Sequence, residues 1–523
     1  MSVRDAVAAI PDGATVATDG FTMMGVAEAV YEGIEQAFRQ TGHPRDLTIV
    51  HAAGQSDRVV GFEHFAQDGL ARRIVGPHWG LMPKMSAFLY AGGAEAVCLP
   101  QGQLSTLYRT IAARRPGQLS RIGLGTFVDP RIEGGKVNAP ARERAPDYVD
   151  LLQVGGEEVL LYRAFPIDVA IVRMTQVDEA GNGSQDEEAV TLDALALAQA
   201  ARNHGGVVIC QAKRLVSRGA IAPKQVQVPA ALIDLVVIAP DPERQHRQTA
   251  GTPFDPRFIT AAPGGRVELA RAEFSTRLVI GRRAVRLLHD GDVVNLGTGI
   301  PGDTIGPALA EAGLADRVTM TVESGVYGGV PQGGVDFGIS AYPSAIIPHP
   351  SQFDFYNGGG LDATFMGAGQ VDREGNVNVS KLGGRVIGAG GFIDITQSAR
   401  MVCFCLPFES RHARFVERVD HLTFSATQAR SNGQQVFYVT DRAVFSLDDG
   451  GLVMLEIAPG LDPGRDVLAH LPFPVRVAAP LRAMPADIFQ AAVSPFTLRP
   501  GSPPSRSKDR ERGRVSGPAP PSS

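Results

Sequence analysis

The sequence predicts an α/β protein made of two related open α/β domains in tandem, followed by a disordered C-terminal tail. Three observations lead to this prediction: apolar strand-like runs alternate with helical patterns, two signals occur in both halves, and the composition changes near the end. At 523 residues the chain is too long for one ordinary core, because a domain commonly holds about 100–200 residues.

Seven short runs rich in apolar and β-branched residues are predicted to be buried strands. They are DLTIVHAAG, IDVAIVR, GGVVICQAK, LIDLVVIAP, DVVNLGTG, RVTMTVESG and ARMVCFCLPF. Between two of them, the stretch from Thr191 to Gly206 is rich in Ala and Leu, and Gly205 is suited to closing a helix there. Such alternation is typical of α/β folds, in which helices connect parallel strands.

Two sequence signals recur and indicate that the halves are related. Asp-Gly-x-x-Val followed by glycine begins at Asp12 and again at Asp290, and QVDEAGN from Gln176 resembles QVDREGN from Gln370. The two landmarks are 164 positions apart in the first half and 80 in the second, so the first half carries about 84 extra residues. We expect accessory structure in that insertion.

The boundaries follow from composition. Residues 1–240 are predicted to form the first domain and residues 276–495 the second, joined by a connector at 241–275 that is rich in proline and poor in apolar periodicity. Strands joined by a tight turn at Asp448 to Gly451 are expected to close the second domain. Residues 496–523 are mostly Pro, Ser, Arg and Gly, which predicts a disordered tail.

Charge and cysteine usage argue against several classes of protein. Fifty Lys and Arg against fifty-five Asp and Glu leave no basic excess for a nucleic-acid partner. No apolar run approaches the roughly 18 residues of a membrane span, and the N-terminus lacks a signal-peptide core, so we expect a cytoplasmic protein. Neither a metal site nor a disulfide framework is expected from the four cysteines, Cys98, Cys210, Cys403 and Cys405.

The sharpest local motif has two interpretations. GTGIPG, at 297–302, follows a predicted strand and matches G-x-G-x-x-G, and Glu323 lies where a dinucleotide-binding fold places its ribose-binding acid. A nicotinamide dehydrogenase is therefore one alternative. Against it, Pro307 predicts a helix that begins only after Gly306, and the matching turn of the first half lacks the glycines.

Glu323 is the other focus of the sequence. It ends a predicted strand, at the edge of an open α/β sheet where ligands bind. Its neighbours are small, and we expect them to leave the carboxylate approachable; they are Ser324, Gly325, Gly328 and Gly329.

The run from Val294 to Leu406 strongly resembles family I coenzyme A transferases, especially the single-chain propionate/acetate and 3-oxoacid type. The segments that carry the resemblance are GTGIPGD, ESGVYGGVPQGG, QFDFYNGGGLD, MGAGQVDREGNVNVSKLGG and GAGGFIDITQSA. GPHWGL, CLPQGQLSTLYR, GLGTFVDPR and the connector near Thr249 extend it to nearly everything before about Phe496.

The resemblance implies a CoA transfer between a short-chain acyl-CoA and a free carboxylic acid of the acetate, propionate, butyrate or 3-oxoacid class. Glu323 would be the nucleophile of a ping-pong reaction through a glutamyl-CoA thioester. The CoA thioester would be a substrate, with no cofactor or metal, and a homo-oligomer is expected. An acyl-CoA-binding sensor without activity and a thioester hydrolase are the remaining alternatives.

Further site residues follow from the same resemblance. Gln101 matches the glutamine that reaches the acyl carbonyl, although Gln103 is near enough to leave the choice open, and an ordinary loop glutamine is the simpler interpretation. GAGGF resembles the family's glycine loop near CoA, or else a tight strand-to-helix turn; its site residues are Gly388, Ala389, Gly390 and Gly391. His78 and Trp79 are expected to be structural or to line the pocket, because no step requires a histidine.

Overall fold

The structure, a computed structural model, describes residues 1–265, 269 and 271–501. Two large sheets, one in each half of the chain, carry the fold, and helices connect their parallel strands. Within the described residues, no helix combines the length and the apolar character needed to cross a membrane.

The first half contains twelve strands and seven helices among the described residues. The strands are β1 Thr15–Thr18, β2 Leu47–His51, β3 Ala71–Gly76, β4 Glu95–Cys98, β5 Gly117–Ser120, β6 Val149–Val154, β7 Glu157–Arg163, β8 Val169–Asp178, β9 Gly183–Ser184, β10 Val207–Val216, β11 Val226–Val228 and β12 Leu235–Ile238. The helices are α1 Val3–Val7, α2 Glu28–Thr41, α3 Pro83–Tyr90, α4 Gln101–Ala112, α5 Ala139–Arg144, α6 Ala194–Asn203 and α7 Pro242–Gln245.

The second half, as far as it is described, contains seventeen strands and five helices. The strands are β13 Val293–Leu296, β14 Thr319–Val322, β15 Val326–Tyr327, β16 Val330–Pro331, β17 Ser340–Ala341, β18 Ala345–Ile346, β19 Ala363–Gly367, β20 Gln370–Asp372, β21 Val377–Asn378, β22 Lys381–Leu382, β23 Arg385–Val386, β24 Met401–Cys405, β25 Phe415–Val416, β26 Gln435–Val439, β27 Ala443–Asp448, β28 Gly451–Ile457 and β29 Arg476–Ala483. The helices are α8 Thr276–Ala284, α9 Ile300–Glu311, α10 His349–Phe355, α11 Phe392–Ser398 and α12 Ala426–Ser431.

The two large sheets share one topology. In the first, the parallel strands run β12-β10-β8-β1-β2-β3-β4. In the second, they run β26-β24-β19-β13-β14, and β27 to β29 extend the sheet beyond β26. The order β12-β10-β8-β1-β2 therefore matches β26-β24-β19-β13-β14. The seven predicted strands are β2, β8, β10, β12, β13, β14 and β24, which confirms the α/β class and the tandem arrangement.

The recurrent QVD signal encodes a turn. The Asp178 carboxylate accepts hydrogen bonds from the backbone N–H groups of Ala180 and Asn182, both at 2.9 Å. Asp372 accepts the equivalent pair, from the residues two and four positions later, both at 3.0 Å. Each aspartate thus closes its own turn, so this repeat reflects a shared backbone geometry.

The extra residues of the first half form accessory structure, as expected. They include β3 and β4, which widen the first sheet, and a separate three-stranded antiparallel sheet in the order β5-β7-β6. Helix α4, which begins at Gln101, also belongs to this insertion.

Helix α6 and the Asp448 turn are confirmed: Gly205 follows the α6 C-cap with φ of +76°, and Asp448 pairs with Gly451 across the hairpin. The predicted late start of the helix near Pro307 is wrong, because α9 begins at Ile300 and continues through Pro307. Burial of residues such as Ile305 in the core outweighs the hydrogen bond that the proline cannot donate.

The described part of the chain extends past residue 496, where the sequence predicts the tail to begin. Phe496 lies 5.5 Å from the Arg286 guanidinium, and Arg499 pairs with His289. Residues 502–523 of the predicted tail lie outside the described residues. The domain boundaries at 240, 276 and 495 stay predictions.

The halves pack together along the carboxyl edges of their sheets. Trp79 donates its backbone N–H to Ile387 at 2.6 Å, and Gly390 donates its own to Pro77 at 2.8 Å. A shared apolar cluster contains Phe21 and Met24 from the first half and Val322 from the second. This packing brings the end of β14 close to α4.

Candidate active site

Glu323 directly follows β14 and is only 8% exposed. Its Oε2 atom accepts a hydrogen bond from the Asn295 side-chain amide at 3.3 Å. Asn295 lies on the neighbouring strand β13, in register with Thr321. Parallel pairing of two strands therefore places the amide beside the carboxylate.

A tyrosine hydroxyl extends this contact. Tyr356 Oη lies 3.4 Å from Asn295 Nδ2 and 2.7 Å from Thr321 Oγ1. Because the Thr321 hydroxyl donates its one hydrogen to the Val294 carbonyl, at 2.8 Å, Tyr356 donates to Thr321. The tyrosine oxygen is then free to accept from Asn295, so the amide is held on both sides.

Burial raises the pKa of the Glu323 carboxyl above its ordinary value. Its own backbone N–H, the Asn295 amide and the nearby His349 imidazole act in the opposite direction, but burial outweighs them. Few groups solvate this carboxylate, a condition that makes an anion more reactive toward an electrophile when it is ionised.

The glycines after Glu323 serve backbone packing, which corrects the expectation that they leave the carboxylate open. A Cβ at Gly325 would lie 2.0 Å from the Ile347 carbonyl oxygen, and Gly325 has φ of +108°. A Cβ at Gly329 would lie 2.4 Å from the Ala341 carbonyl oxygen. Only glycine allows these close approaches, and the result is an enclosed carboxylate.

Gln101, the first residue of α4, is 3% exposed, and its side-chain Nε2 lies 3.0 Å from His349 Nε2. His349 begins α10, is fully buried, and contacts Asp193 through Nδ1 at 2.8 Å. Gln101 and Asp193 come from the first half, whereas His349 and Glu323 come from the second. The structure thus brings the predicted glutamine and glutamate to one inter-domain site.

Gln103 has a different environment. Its Nε2 donates to Asp394 Oδ1 at 2.9 Å, and its Oε1 accepts from Gln118 at 3.0 Å. Asp394 also accepts the backbone N–H of Gly102 at 3.0 Å, and burial raises the pKa of Asp394 to about 6. Both ends of the Gln103 amide are therefore engaged, one with Asp394 of the second half and the other with Gln118 of the first.

The glycine loop at 388–391 lies against Gln101. The Gln101 N–H donates to the Gly390 carbonyl at 3.1 Å, and a Cβ at Gly390 would lie 3.7 Å from Gln101 Oε1. The N–H groups of Gly388 and Gly390 donate to Ser380 and Pro77. Within the described residues, the Gly391 N–H forms no backbone hydrogen bond, and Ala389 is buried beside it.

Trp79 is fully buried and the adjoining His78 is half-buried. Trp79 Nε1 donates to His51 Nε2 at 3.1 Å, which fits the structural role predicted for this residue. Burial lowers the pKa of His78 to about 4, so its imidazole is neutral at pH 7. His78 also forms a bridge to Gly388 and so holds the glycine loop against the first half.

Sequence reasoning missed His349, Asp193, Asn295 and Gln352. The Gln352 side chain is fully buried on α10, and neither polar atom of its amide has a hydrogen-bond partner among the described residues. Burial raises the pKa values of Tyr327 and Tyr356, and the Gln352 amide lowers both. The amide therefore lies near both tyrosine hydroxyls. Gln352 begins QFDFYNGGGLD, one of the segments that carry the family resemblance.

A cavity of about 360 Å³ lies elsewhere, at the amino ends of the strands in the second sheet. Its lining includes Asp292, Asp362, Arg400 and Gln435, and Glu323 is not part of it. Ligands of open α/β sheets bind at the carboxyl ends of the strands, so we favour the Glu323 end as the site. Within the described ranges, no group of His, Cys, Asp or Glu residues could hold a metal ion.

The GTGIPG motif serves chain geometry here. A Cβ at Gly297 would lie 2.7 Å from Met366 Sδ, and Gly299, with φ of +84°, caps α9. Glu323 faces Asn295 from a buried position and does not extend toward an open ribose site.

Comparison with protein families matches residues 1–239 and 280–453 to the family described as Coenzyme A transferase. Caffeate CoA-transferase of Acetobacterium woodii is 39% identical over 94% of this chain and 97% of its own length. Acetate CoA-transferase YdiF of Escherichia coli K12 is 36% identical over 95% and 96%.

A solved structure is also similar to this chain: that of the acyl-CoA transferase YdiF of Escherichia coli O157:H7, in a thioester complex with CoA. The two chains are 34% identical and superimpose with a TM-score of 0.88, and the match covers 96% of this chain and 98% of that chain. The sheet topology and these matches agree over both halves. The chain therefore belongs to the coenzyme A transferase family and is a CoA-transferase.

Proposed function

We propose that this enzyme moves CoA between a short-chain acyl-CoA and a free carboxylic acid by a ping-pong mechanism, with Glu323 as the covalent nucleophile. The observation that supports it most is the placement of Glu323: a buried carboxylate at the carboxyl end of β14, next to the apolar cluster that both halves share, and contacted by one amide donor. The relative solved as a thioester complex with CoA supports the same chemistry.

The first half-reaction has two steps. A Glu323 carboxylate oxygen attacks the thioester carbonyl carbon, and the C–S bond of the tetrahedral intermediate breaks to release CoA thiolate and leave an acyl-glutamyl anhydride. The thiolate then attacks the glutamyl carbonyl, the anhydride C–O bond breaks, and the acid departs as a carboxylate. The acceptor acid repeats these steps in reverse, so no net proton or electron is needed.

The nucleophile needs no general base, because the attacking form is the carboxylate itself. Its raised pKa means that a smaller fraction is ionised at a given acidic pH than for an ordinary glutamate. Positioning and CoA binding energy must therefore supply much of the rate.

Each tetrahedral intermediate carries an oxyanion that needs donors. Gln101 offers a second amide N–H besides the one that faces His349, and the adjoining loop contains the Gly391 N–H, which forms no backbone hydrogen bond within the described residues. Losing one such donor typically costs about 2.7–4 kcal/mol. We propose that Gln101 and this loop bind the acyl oxygen and the thioester end of CoA, with the loop comprising Gly388, Ala389, Gly390 and Gly391.

For the acids, we propose the acetate, propionate, butyrate and 3-oxoacid class, with the CoA thioester as a substrate and no separate cofactor. Relatives named for acetate and for caffeate differ widely in the size of the acid, so family membership alone does not choose among them. The buried lining near Tyr356 and Gln352 favours a compact acyl group.

Initial-rate kinetics test the proposal. Varying the acyl-CoA concentration at several fixed acetate concentrations should give parallel double-reciprocal lines. When no second acid is present, the labelled free acid of the same acyl group should exchange into acyl-CoA. Intersecting lines without exchange would contradict the covalent mechanism. A hydrolase would instead release acid and CoA in water without acetate, and a dehydrogenase would change nicotinamide absorbance.

A further inference from the structure

His349 contacts Gln101 and lies near enough to Glu323 to affect its pKa, yet the reaction contains no step for the histidine. Its ring contacts Gln101 through Nε2 and Asp193 through Nδ1, at 3.0 and 2.8 Å, and is fully buried. The rings of Phe21 and Phe353 stand edge-on to the imidazole at 6.2 and 5.2 Å between centroids. These four contacts fix the position of the imidazole ring.

The hydrogen bonds define one tautomer. The Asp193 carboxylate only accepts, so the proton of the imidazole lies on Nδ1, and Nε2 is left as the acceptor for the Gln101 amide. Nδ1 donates its proton to Asp193 Oδ2. Ser105 donates its hydroxyl to the other Asp193 oxygen, and the Asp193 N–H donates to Asp19 Oδ1 at 3.0 Å. Asp193 is thus fixed before it fixes the histidine.

The tautomer restricts the glutamine amide. If the Gln101 amide turned over, its Oε1 would face the unprotonated His349 Nε2, and two lone pairs would oppose each other. One N–H therefore stays on His349, and the second N–H of the same planar group points away from the ring at a fixed angle. Gln101 Oε1 stays on the side of Gly390, where a Cβ added to that glycine would lie 3.7 Å from Oε1.

We propose that His349, with its tautomer set by Asp193, is a positioning residue that keeps the Gln101 amide oriented as a donor to the acyl oxyanion. The inference rests on the proposed function. The charged and titratable groups around the imidazole are Asp193 and Asp19 from the first half and Glu323 from the second. The acid pair favours the Nδ1–H form and so supports the donor orientation.

The test is a set of variants with three readouts: kcat, the KM for acyl-CoA, and the single-turnover rate of CoA attachment to Glu323. His349→Leu removes the acceptor, and we expect kcat to fall about 10²-fold with less than about a threefold change in KM. Gln101→Leu should lose about 10²–10³-fold. Because His349 acts through Gln101, the double variant should be no slower than Gln101→Leu alone.

Two conservative variants keep the test independent of folding. His349→Gln places an acceptor oxygen near the position of Nε2 and should recover at least about tenfold of the rate lost in His349→Leu. Asp193→Asn keeps the size of the side chain but can donate to Nδ1, which moves the imidazole proton to Nε2; it should lower kcat although Gln101 and His349 are both present.

His246→Leu is the matched control. His246 is another buried histidine paired with a carboxylate, Glu188, at 3.0 Å. It should lower the Tm while kcat stays within about threefold. A merely structural role for His349 predicts the same pattern for both histidines.

Multiplicative losses in the double variant, or a His349→Gln variant as slow as His349→Leu, would overturn the inference while Glu323 labelling in the wild type still upholds the proposed function. Absence of labelling in the wild type would overturn both.

Discussion

Asn295 and Glu323 lie at the ends of adjacent parallel strands, and the Asn295 side-chain amide donates a hydrogen bond to the Glu323 carboxylate at 3.3 Å. Burial raises the pKa of this carboxyl group and so favours its neutral form. The hydrogen bond favours the charged form of Glu323 and therefore lowers its pKa. It makes ionisation of the nucleophile easier in an enclosed site.

Replacing Asn295 with leucine should raise the pKa of Glu323 further. Single-turnover release of the free acid from acyl-CoA, measured against pH, should lose rate on the acid side at a pH above the ordinary pKa of a glutamate, and at a still higher pH in the variant. At high pH the two enzymes should approach each other in rate. An acid limb at the same pH in both would show that Asn295 does not stabilise the carboxylate.

Gln101 and Gln103 should differ in their effect on activity. Gln101→Leu should reduce kcat by about 10²–10³-fold, and because it leaves the buried His349 Nε2 without its donor, it should also lower the free energy of unfolding by about 1–3 kcal/mol. Gln103→Leu leaves the buried Asp394 short of one donor, so it should lower the free energy of unfolding by about 1–3 kcal/mol while kcat falls less than about tenfold. Chemical denaturation and steady-state rates check both, and a reversed pattern would assign the acyl contact to Gln103.

The first domain contains a buried acid whose stability effect depends on pH. Burial, and then the charge of Asp193, raise the pKa of Asp19 to about 7, and Asp19 Oδ2 has no partner among the described residues. Since Asp19 ionises more readily in the unfolded chain, the protein loses stability as the pH rises from about 4 to about 7, and the cost is constant above that.

Asp19→Asn should remove this cost and keep the acceptor for the Asp193 N–H. We expect the variant to differ little from the wild type at pH 5 and to have the higher Tm at pH 8. Thermal unfolding at the two pH values measures the difference. A variant that is less stable at both would show that the charged form of Asp19 is the stabilising one.

Gln352 should be a residue that costs stability. Its amide is buried without a partner in the described structure, and an unsatisfied polar group of this kind costs about 1–3 kcal/mol, so Gln352→Leu should stabilise the fold. Gln397→Leu is the matched control, because the Gln397 amide bonds the Gly123 N–H and the Leu124 carbonyl. It should destabilise; equal losses in both would mean that Gln352 is satisfied.

Much of the fold could be predicted because its signals are local. The seven buried runs, the closing glycine of α6 and the hairpin at Asp448 depend on neighbouring residues, and each lies where expected. The start of α9 was mispredicted because Pro307 is a local signal that tertiary packing overrides.

The candidate site was predictable only in part. Glu323 and Gln101 stand in recognisable segments, and the fold brings them to one place. His349 and Asp193 are 156 positions apart and have no local signal, so only the packing of the two halves shows that they meet. The glycines beside Glu323 were assigned to access because their number is visible in the sequence, whereas the carbonyl oxygens they approach are not.

The most direct test of the mechanism is the mass of the enzyme after brief exposure to acyl-CoA without an acceptor acid. We expect the intact protein to gain one CoA, less water, with peptide mapping placing it on Glu323, and addition of acetate to remove it with release of acetyl-CoA. Glu323→Gln should remain unlabelled and inactive. An unlabelled wild-type enzyme that still transfers CoA, or a Glu323→Gln variant that retains wild-type turnover, would contradict the account.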